Sequence, residues 1–228
     1  MRVIQVVNHS TVVSAKQLAD ATKALQLQLD RDFSPVWGVS VGLAITNTYD
    51  PTREAVLILD DATQADALGY HALVARSAIP VGFVFARTAE QDGTVWTVPY
   101  SHETHEQSVD PFCASAWIGT WEGKPAAIAL ETDDAVEQES YDVLGVPLSN
   151  FVHPSWFDES GKVHGSLDQM GVCTKPCQLM PYGYMDVTAD LRLWSSYSHA
   201  GRPPSMYRAN LTQQLYTRSS RRRRRLIP

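Results

Sequence analysis

The chain has 228 residues, with 25 acidic against 19 basic side chains, a formal charge of −6, and 44% hydrophobic and 19% charged content. That composition fits a folded chain able to bury a full core and excludes a disordered one, and no apolar run approaches the length of a membrane span. The acidic body argues against nucleic acid as the main substrate.

In chain order, Arg2 to Val7 has the β-branched density of a strand, broken at Asn8-His9-Ser10. Ser14 then opens a helix, with Leu18, Ala21, Leu25 and Leu29 at helical spacing, running to about Arg31. Phe33 to Gly38 reads as a turn or extended connector that brings Trp37 to the core. Val39 to Thr46 and Ala55 to Asp60 follow as strands, and Asp60 to His71 as an irregular loop. Ile79 to Ala86 is the fourth strand, and Thr94 to Val98 a short one leading into a polar segment.

That segment, Pro99-Tyr-Ser-His-Glu-Thr-His-Glu-Gln-Ser-Val-Asp-Pro111, is the densest chemistry in the chain. With Ser101 as a helix cap, His102 and Glu106 stand one turn apart on one face, with Glu103 beside them. This is the geometry of the H-E-x-x-H zinc helix with a glutamate in the second ligand position. Carboxylate oxygen and imidazole nitrogen bind Zn²⁺ at nearly the same distance, so the exchange is chemically allowed. Glu103 takes the place of the general base that acts on a water. Asp110 lies too far along the helix to join His102 on one ion and reads as an anchoring carboxylate. His105, turned about 100° from Glu106, reads as an exposed polar side chain.

A third ligand is expected from Glu131-Thr-Asp-Asp134, delivered by the apolar run Ala126 to Leu130. Glu131 and Asp134 share a face if the segment is helical; if it is extended, only one of Glu131, Asp133 and Asp134 reaches the site. Further on, the aromatic and proline-rich segment from Gly145 to Phe157 reads as irregular, and Gly183-Tyr184 as a loop near the site with a structural tyrosine. Cys113 reads as a buried thiol, whereas Cys173 and Cys177 are either paired or free; His153 and His164 read as structural. There is no P-loop, dinucleotide fingerprint or internal repeat.

The charge is uneven along the chain. Arg218 and Arg221 to Arg225 supply six of the 19 basic residues, leaving 13 basic against 25 acidic, a balance of −12 for the remainder. The division expected is a domain over 1–190 and an extension over 191–228. Its arginine-rich tail suits contact with nucleic acid, virion proteins or another acidic partner, beside the simpler reading of a solvated terminus. Met1 to Gln5 has no secretory signal core, so the expected location is cytoplasmic or virion-associated.

The pieces Asp32 to Gly38, Ala67 to His71, Pro80 to Phe85, Ser101 to Pro111, Ala129 to Asp134, Val146 to Phe157 and Pro181 to Tyr184 occur in the order seen in one protein group. Through them the chain resembles small zincin-like proteins encoded by bacteria and tailed bacteriophages, over roughly residues 15 to 185. The resemblance implies a metallopeptidase-like fold in which His102 and Glu106 hold zinc, Glu103 is the base and an acid between Glu131 and Asp134 completes the site. The chain departs from the group in its polar Thr104 and His105, and in reading Thr-Asp-Asp where the group has a cysteine-containing acidic motif.

The expected architecture is α+β and zincin-like: a mixed N-terminal sheet, a long backing helix, a central metal-binding helix and an irregular C-terminal part. Two functions from different classes follow. One is a zinc-dependent hydrolase acting on a peptide or protein, with Val81 to Phe85 as the cleft edge that pairs with an extended substrate. The other is a virion or host-interaction protein that keeps the fold as a binding module. An intact Glu103 favours the first, because a scaffold has no need of it.

Overall fold

The structure, a computed structural model, describes residues 1–62, 67–74, 78–188, 193–198 and 205–208. It is a mixed α+β protein. β1 (Arg2–Asn8) leads into α1 (Ala15–Gln28), a turn of π-helix (Leu29–Phe33) and the short α2 (Ser34–Trp37). β2 (Val41–Thr46), β3 (Ala55–Leu59), β4 (Gly69–Leu73) and β5 (Pro80–Phe85) complete the first sheet, in the order β2-β1-β3-β5-β4. All its pairings are parallel except that of β4 with β5.

α1 forms where its cap and periodicity predict. Ser14 and Gln17 make a reciprocal capping box, and Leu18, Ala21, Thr22, Leu25 and Gln28 are buried along one face. α3 (Ala86–Asp92) stops at Gly93, in the left-handed region at φ 85°, and α4 (Thr97–Val109) follows. β6 (Ala116–Trp121) and β7 (Lys124–Ala129) form a hairpin, as do β8 (Ser140–Val143) and β9 (Val146–Ser149). Both turn on two residues with positive φ, Glu122-Gly123 and Leu144-Gly145, as tight hairpins require. β10 (Tyr184–Thr188), β11 (Leu193–Ser198) and β12 (Ser205–Arg208) complete a second, antiparallel sheet in the order β12-β11-β10-β7-β6.

Several expectations change here. The Phe33 to Gly38 segment is helical through Trp37 rather than extended, since Pro35 suits the start of the short α2, and the stretch from Gly145 to Phe157 is not irregular but holds β9 and a 3-10 turn at Pro154–Phe157. α4 begins a turn before Ser101, and no strand covers Thr94 to Val98. Pro99 is tolerated because the N–H it lacks belongs to the first turn, where no helical partner exists. The loop expected to reach His71 ends in β4 instead. β5 is not a cleft edge, because β3 and β4 pair with its two sides; β4 is the terminal strand of the order. Finally, the extension expected from residue 191 contributes β11 and β12 to the same sheet as β10, while its arginine-rich tail lies outside the described residues.

α4 is the pivot of the molecule. Its sequence is nearly all polar, yet eleven of its 13 residues are buried. The hydroxyls of Ser101, Thr104 and Ser108 solve part of that problem by donating to carbonyls one turn back, Thr97, Tyr100 and Thr104. Ser101 Oγ also accepts the Ser149 N–H at 2.7 Å, which ties α4 to β9. Arg2 closes the other end by donating to the Gln107 and Ser108 carbonyls at 2.7 and 3.0 Å, where a cation suits the helix dipole. Tyr100 reaches α1 through a 3.1 Å bond with Thr22.

Two glycines let α4 lie close against the sheet. A Cβ on Gly69 would come within 2.9 Å of Glu103 Cγ, and one on Gly82 within 3.2 Å of Gln107 Oε1. His71 sits directly across from Gly82 in the β4–β5 register. The sheet thus carries a shallow bay, and the polar face of α4 fills it.

Candidate metal centre

Three histidines and six carboxyl groups converge where α4 meets β4 and the 131–137 segment. From α4 come His102, Glu103, His105 and Glu106; from β4, His71; from the segment after β7, Glu131, Asp133, Asp134 and Glu137. All are buried except Glu137, whose side chain is 31% exposed and marks the most open side.

His102 Nε2 lies 3.3 Å from Glu106 Oε1 and 3.2 Å from Asp134 Oδ1, and its Nδ1 lies 3.7 Å from Glu137 Oε2. His71 Nδ1 lies 3.4 Å from both Glu103 Oε2 and Glu106 Oε2, and its Nε2 lies 3.9 Å from Glu131 Oε2. The helical pair expected from the H-E-x-x-E pattern is therefore adjacent, and Asp134 rather than Glu131 stands beside it. Glu131 lies on the His71 side. Asp133 is turned toward His105, 3.0 Å from its Nδ1, and its own N–H points at Glu106 Oε1 at 3.5 Å.

His105 is fully buried, contrary to the exposed position expected for it. Its ring stacks on Phe33 at 4.5 Å and meets Phe151 edge-on at 5.1 Å. The reason is the burial of α4 on every side, which a rotation of 100° from Glu106 does not escape. Asp110 anchors the following loop by accepting the Ala114 and Ser115 N–H groups at 3.0 Å, and Cys113 is buried as expected. The Cys173 and Cys177 thiols are free. Gly183 packs against the Ala135 carbonyl, which brings the Gly183-Tyr184 segment behind the 134–136 turn.

His71 is the residue that the motif reading misses. Its signal was modest: Gly69 and His71 alternate onto one face of a strand, and the histidine is flanked by small and apolar residues.

The electrostatics describe a site short of positive charge. Among the described residues, the ion pairs of Glu103, Glu106, Asp133, Asp134 and Glu137 run only to histidines. Burial opposes a proton on His102, but Glu106, Glu137 and Asp134 outweigh it and hold its pKa well above the ordinary value. Burial opposes a proton on His71 too and is outweighed by Cys113, Glu103 and Glu106. Glu106 is held well below the usual range, since the two histidines overcome its own burial. Burial and the nearby Glu106 push Asp134 well above it.

The donor set fits a divalent cation. Two donors about 2.0–2.1 Å from a tetrahedral ion lie roughly 3.3–3.4 Å apart. The His102–Glu106 and His102–Asp134 separations of 3.3 and 3.2 Å match that edge. The nitrogen and two oxygens from His102, Glu106 and Asp134 all lie within 4.8 Å of one another. Six carboxyl groups stand against three imidazoles, and a buried charge needs a partner.

Fold and site together define an α+β protein with a buried histidine–carboxylate cluster able to hold a metal ion. Comparison with known proteins returns no matching family model, curated protein or solved structure. Among the described residues, no helix is long and apolar enough to cross a membrane.

Proposed function

We propose that the protein is a zinc-dependent metallohydrolase, a peptidase built on a zincin-like domain. The observation that carries the reading is the His102–Glu106–Asp134 triangle, with ligand-edge spacing, next to an acid on the same helix. His102 and Glu106 would hold the ion from one face of α4, and Asp134 would close the set from the opposite segment. A zinc ion bound there supplies Lewis acidity toward a substrate carbonyl and makes a water more acidic. Glu103 is the carboxylate placed to take a proton from a water as its oxygen adds to the carbonyl carbon, and to return that proton to the amine nitrogen as the C–N bond breaks. The His105–Asp133 pair, clamped by Phe33, fixes the loop that presents Asp134. Substrate enters on the His102–Glu137 side, where the cluster is most open. The zincin-like resemblance of residues 15 to 185 points the same way.

The test is hydrolysis of an unstructured protein such as casein by the zinc-loaded chain. Glu103→Gln removes the base while keeping the side chain's volume. Cleavage by wild type that falls at least a hundredfold in Glu103→Gln and stops with chelator is the expected result. Equal cleavage by both proteins would remove Glu103 from the mechanism.

A further inference from the structure

Glu106 has two carboxylate oxygens, and the structure directs them to different histidines. Oε1 faces His102, at 3.3 Å, while Oε2 faces His71, at 3.4 Å. On the His71 side, Glu103 Oε2 stands at the same 3.4 Å from the imidazole nitrogen. These three side chains come from β4 and α4, and their donor atoms also lie within 4.8 Å of one another. A second triangle thus repeats the first, with one nitrogen, two oxygens and the tetrahedral edge of about 3.3–3.4 Å.

The second triangle also has an electrostatic reason to hold something. The Oε2 atoms of Glu103 and Glu106 are both buried, and neither receives a hydrogen bond. Glu106 is 0% exposed and Glu103 5%, so water does not substitute for the missing donors at the surface. Buried carboxylate oxygens left in this state are costly, by more than an ordinary polar atom. His71 points at both but lies too far off for a short charge-assisted bond, which runs to about 2.7–2.9 Å. The gap among the three has the dimensions of a cation rather than of a hydrogen bond.

We infer that β4 and α4 form a second divalent-cation site from His71, Glu103 and Glu106, and that Glu106 bridges the two ions. The inference rests on the first triangle being a metal site, and it turns one oxygen of Glu103, Oε2, toward the second ion. Mixed nitrogen and oxygen donors suit zinc and manganese alike. Bridged pairs of this kind are used in hydrolysis to hold both the attacking and the leaving oxygen. The place of Gly69 follows from this arrangement, because any larger residue there would press on Glu103, at Cγ and Oε1.

The experiment is metal stoichiometry on the full chain, stripped with chelator, reloaded with Zn²⁺ and freed of excess. Two ions per chain are expected for wild type and one for His71→Ala, with circular dichroism showing that the variant is folded. The same protein loaded with Mn²⁺ is expected to give an exchange-coupled electron paramagnetic resonance spectrum, which needs no variant. One ion in wild type overturns the second site and leaves the proposed hydrolase centre standing. No ion overturns both. Two uncoupled Mn²⁺ ions, or two zinc ions retained in folded His71→Ala, overturn the bridge at Glu106 or the place assigned to the second ion.

Discussion

His71 and Glu106 face each other at 3.4 Å across the junction of an edge strand and the central helix, both with no exposed surface. Bringing an imidazole so near requires the two backbones to approach, and that approach depends on glycine. Gly69→Ala places a methyl group 2.9 Å from Glu103 Cγ and 3.0 Å from the Phe83 carbonyl. Part of that crowding falls on backbone, which yields little. Chemical denaturation is expected to show a loss of about 1–3 kcal/mol. Zinc content is expected to fall with it, because Glu103 must turn away.

The His105–Asp133 pair makes a second prediction. His105→Ala removes a ring stacked on Phe33 and edge-on to Phe151, and leaves Asp133 buried with only the Thr132 hydroxyl as a side-chain donor. Breaking a buried pair on one side costs about 3–5 kcal/mol. Urea unfolding is the measurement, and a loss under 1 kcal/mol would show that the pair does not hold the loop.

Both residues show where sequence reasoning stops. α1 was legible because Ser14, Gln17 and the apolar row from Leu18 are local signals, and the α+β class followed from alternating strand and helix patterns. The adjacency of His102 and Glu106 was legible for the same reason, since one helical turn sets it. The start of α4 was not, because Thr94 to Val98 has β-branched residues and the tertiary burial of the helix outweighs that preference. His71 and His105 depend on what packs against them, and no spacing along the chain encodes a neighbour from another element. Asp134 could be narrowed only to a cluster, since the choice between it and Glu131 rests on how the segment after β7 turns.

Asp60 ties three elements together. It accepts from Ser10 Oγ and Thr11 Oγ1 at 2.6 Å and from the Thr11 N–H at 2.8 Å, and it pairs with Arg87 at 2.6 Å. Those hydrogen bonds, chiefly from Ser10 and Thr11, hold its carboxyl well below the usual range. A carboxyl with a depressed folded pKa adds stability that is fully present above its unfolded value of about 3.9 and is lost as pH falls toward the folded one. Asp60→Asn is therefore expected to be less stable than wild type at pH 7, with the gap closing below about pH 4. Thermal unfolding across that range is the check, and a gap that stays constant to pH 2 would contradict it.

The thiols offer a simpler test. Burial pushes Cys173 and Cys177 up to about 12, and both are free. At pH 8 their thiolate fraction is then on the order of 10⁻⁴, so Ellman's reagent is expected to react slowly with the folded chain. In denaturant all three cysteines should react within minutes. Fast reaction of the native protein would mean that the Cys173–Cys177 loop opens.

The central claim is that this cluster is a metal centre, and thermal unfolding with and without Zn²⁺ tests it most directly. A ligand present at a hundred times its dissociation constant stabilises the folded chain by about 2.7 kcal/mol. For a chain of this size that is a rise in Tm of roughly 5–10 °C. That rise is expected in the wild type, with reversal by chelator and loss in His102→Ala and Glu106→Ala. An unchanged Tm in the wild type at saturating zinc, with no metal retained on elemental analysis, would contradict it.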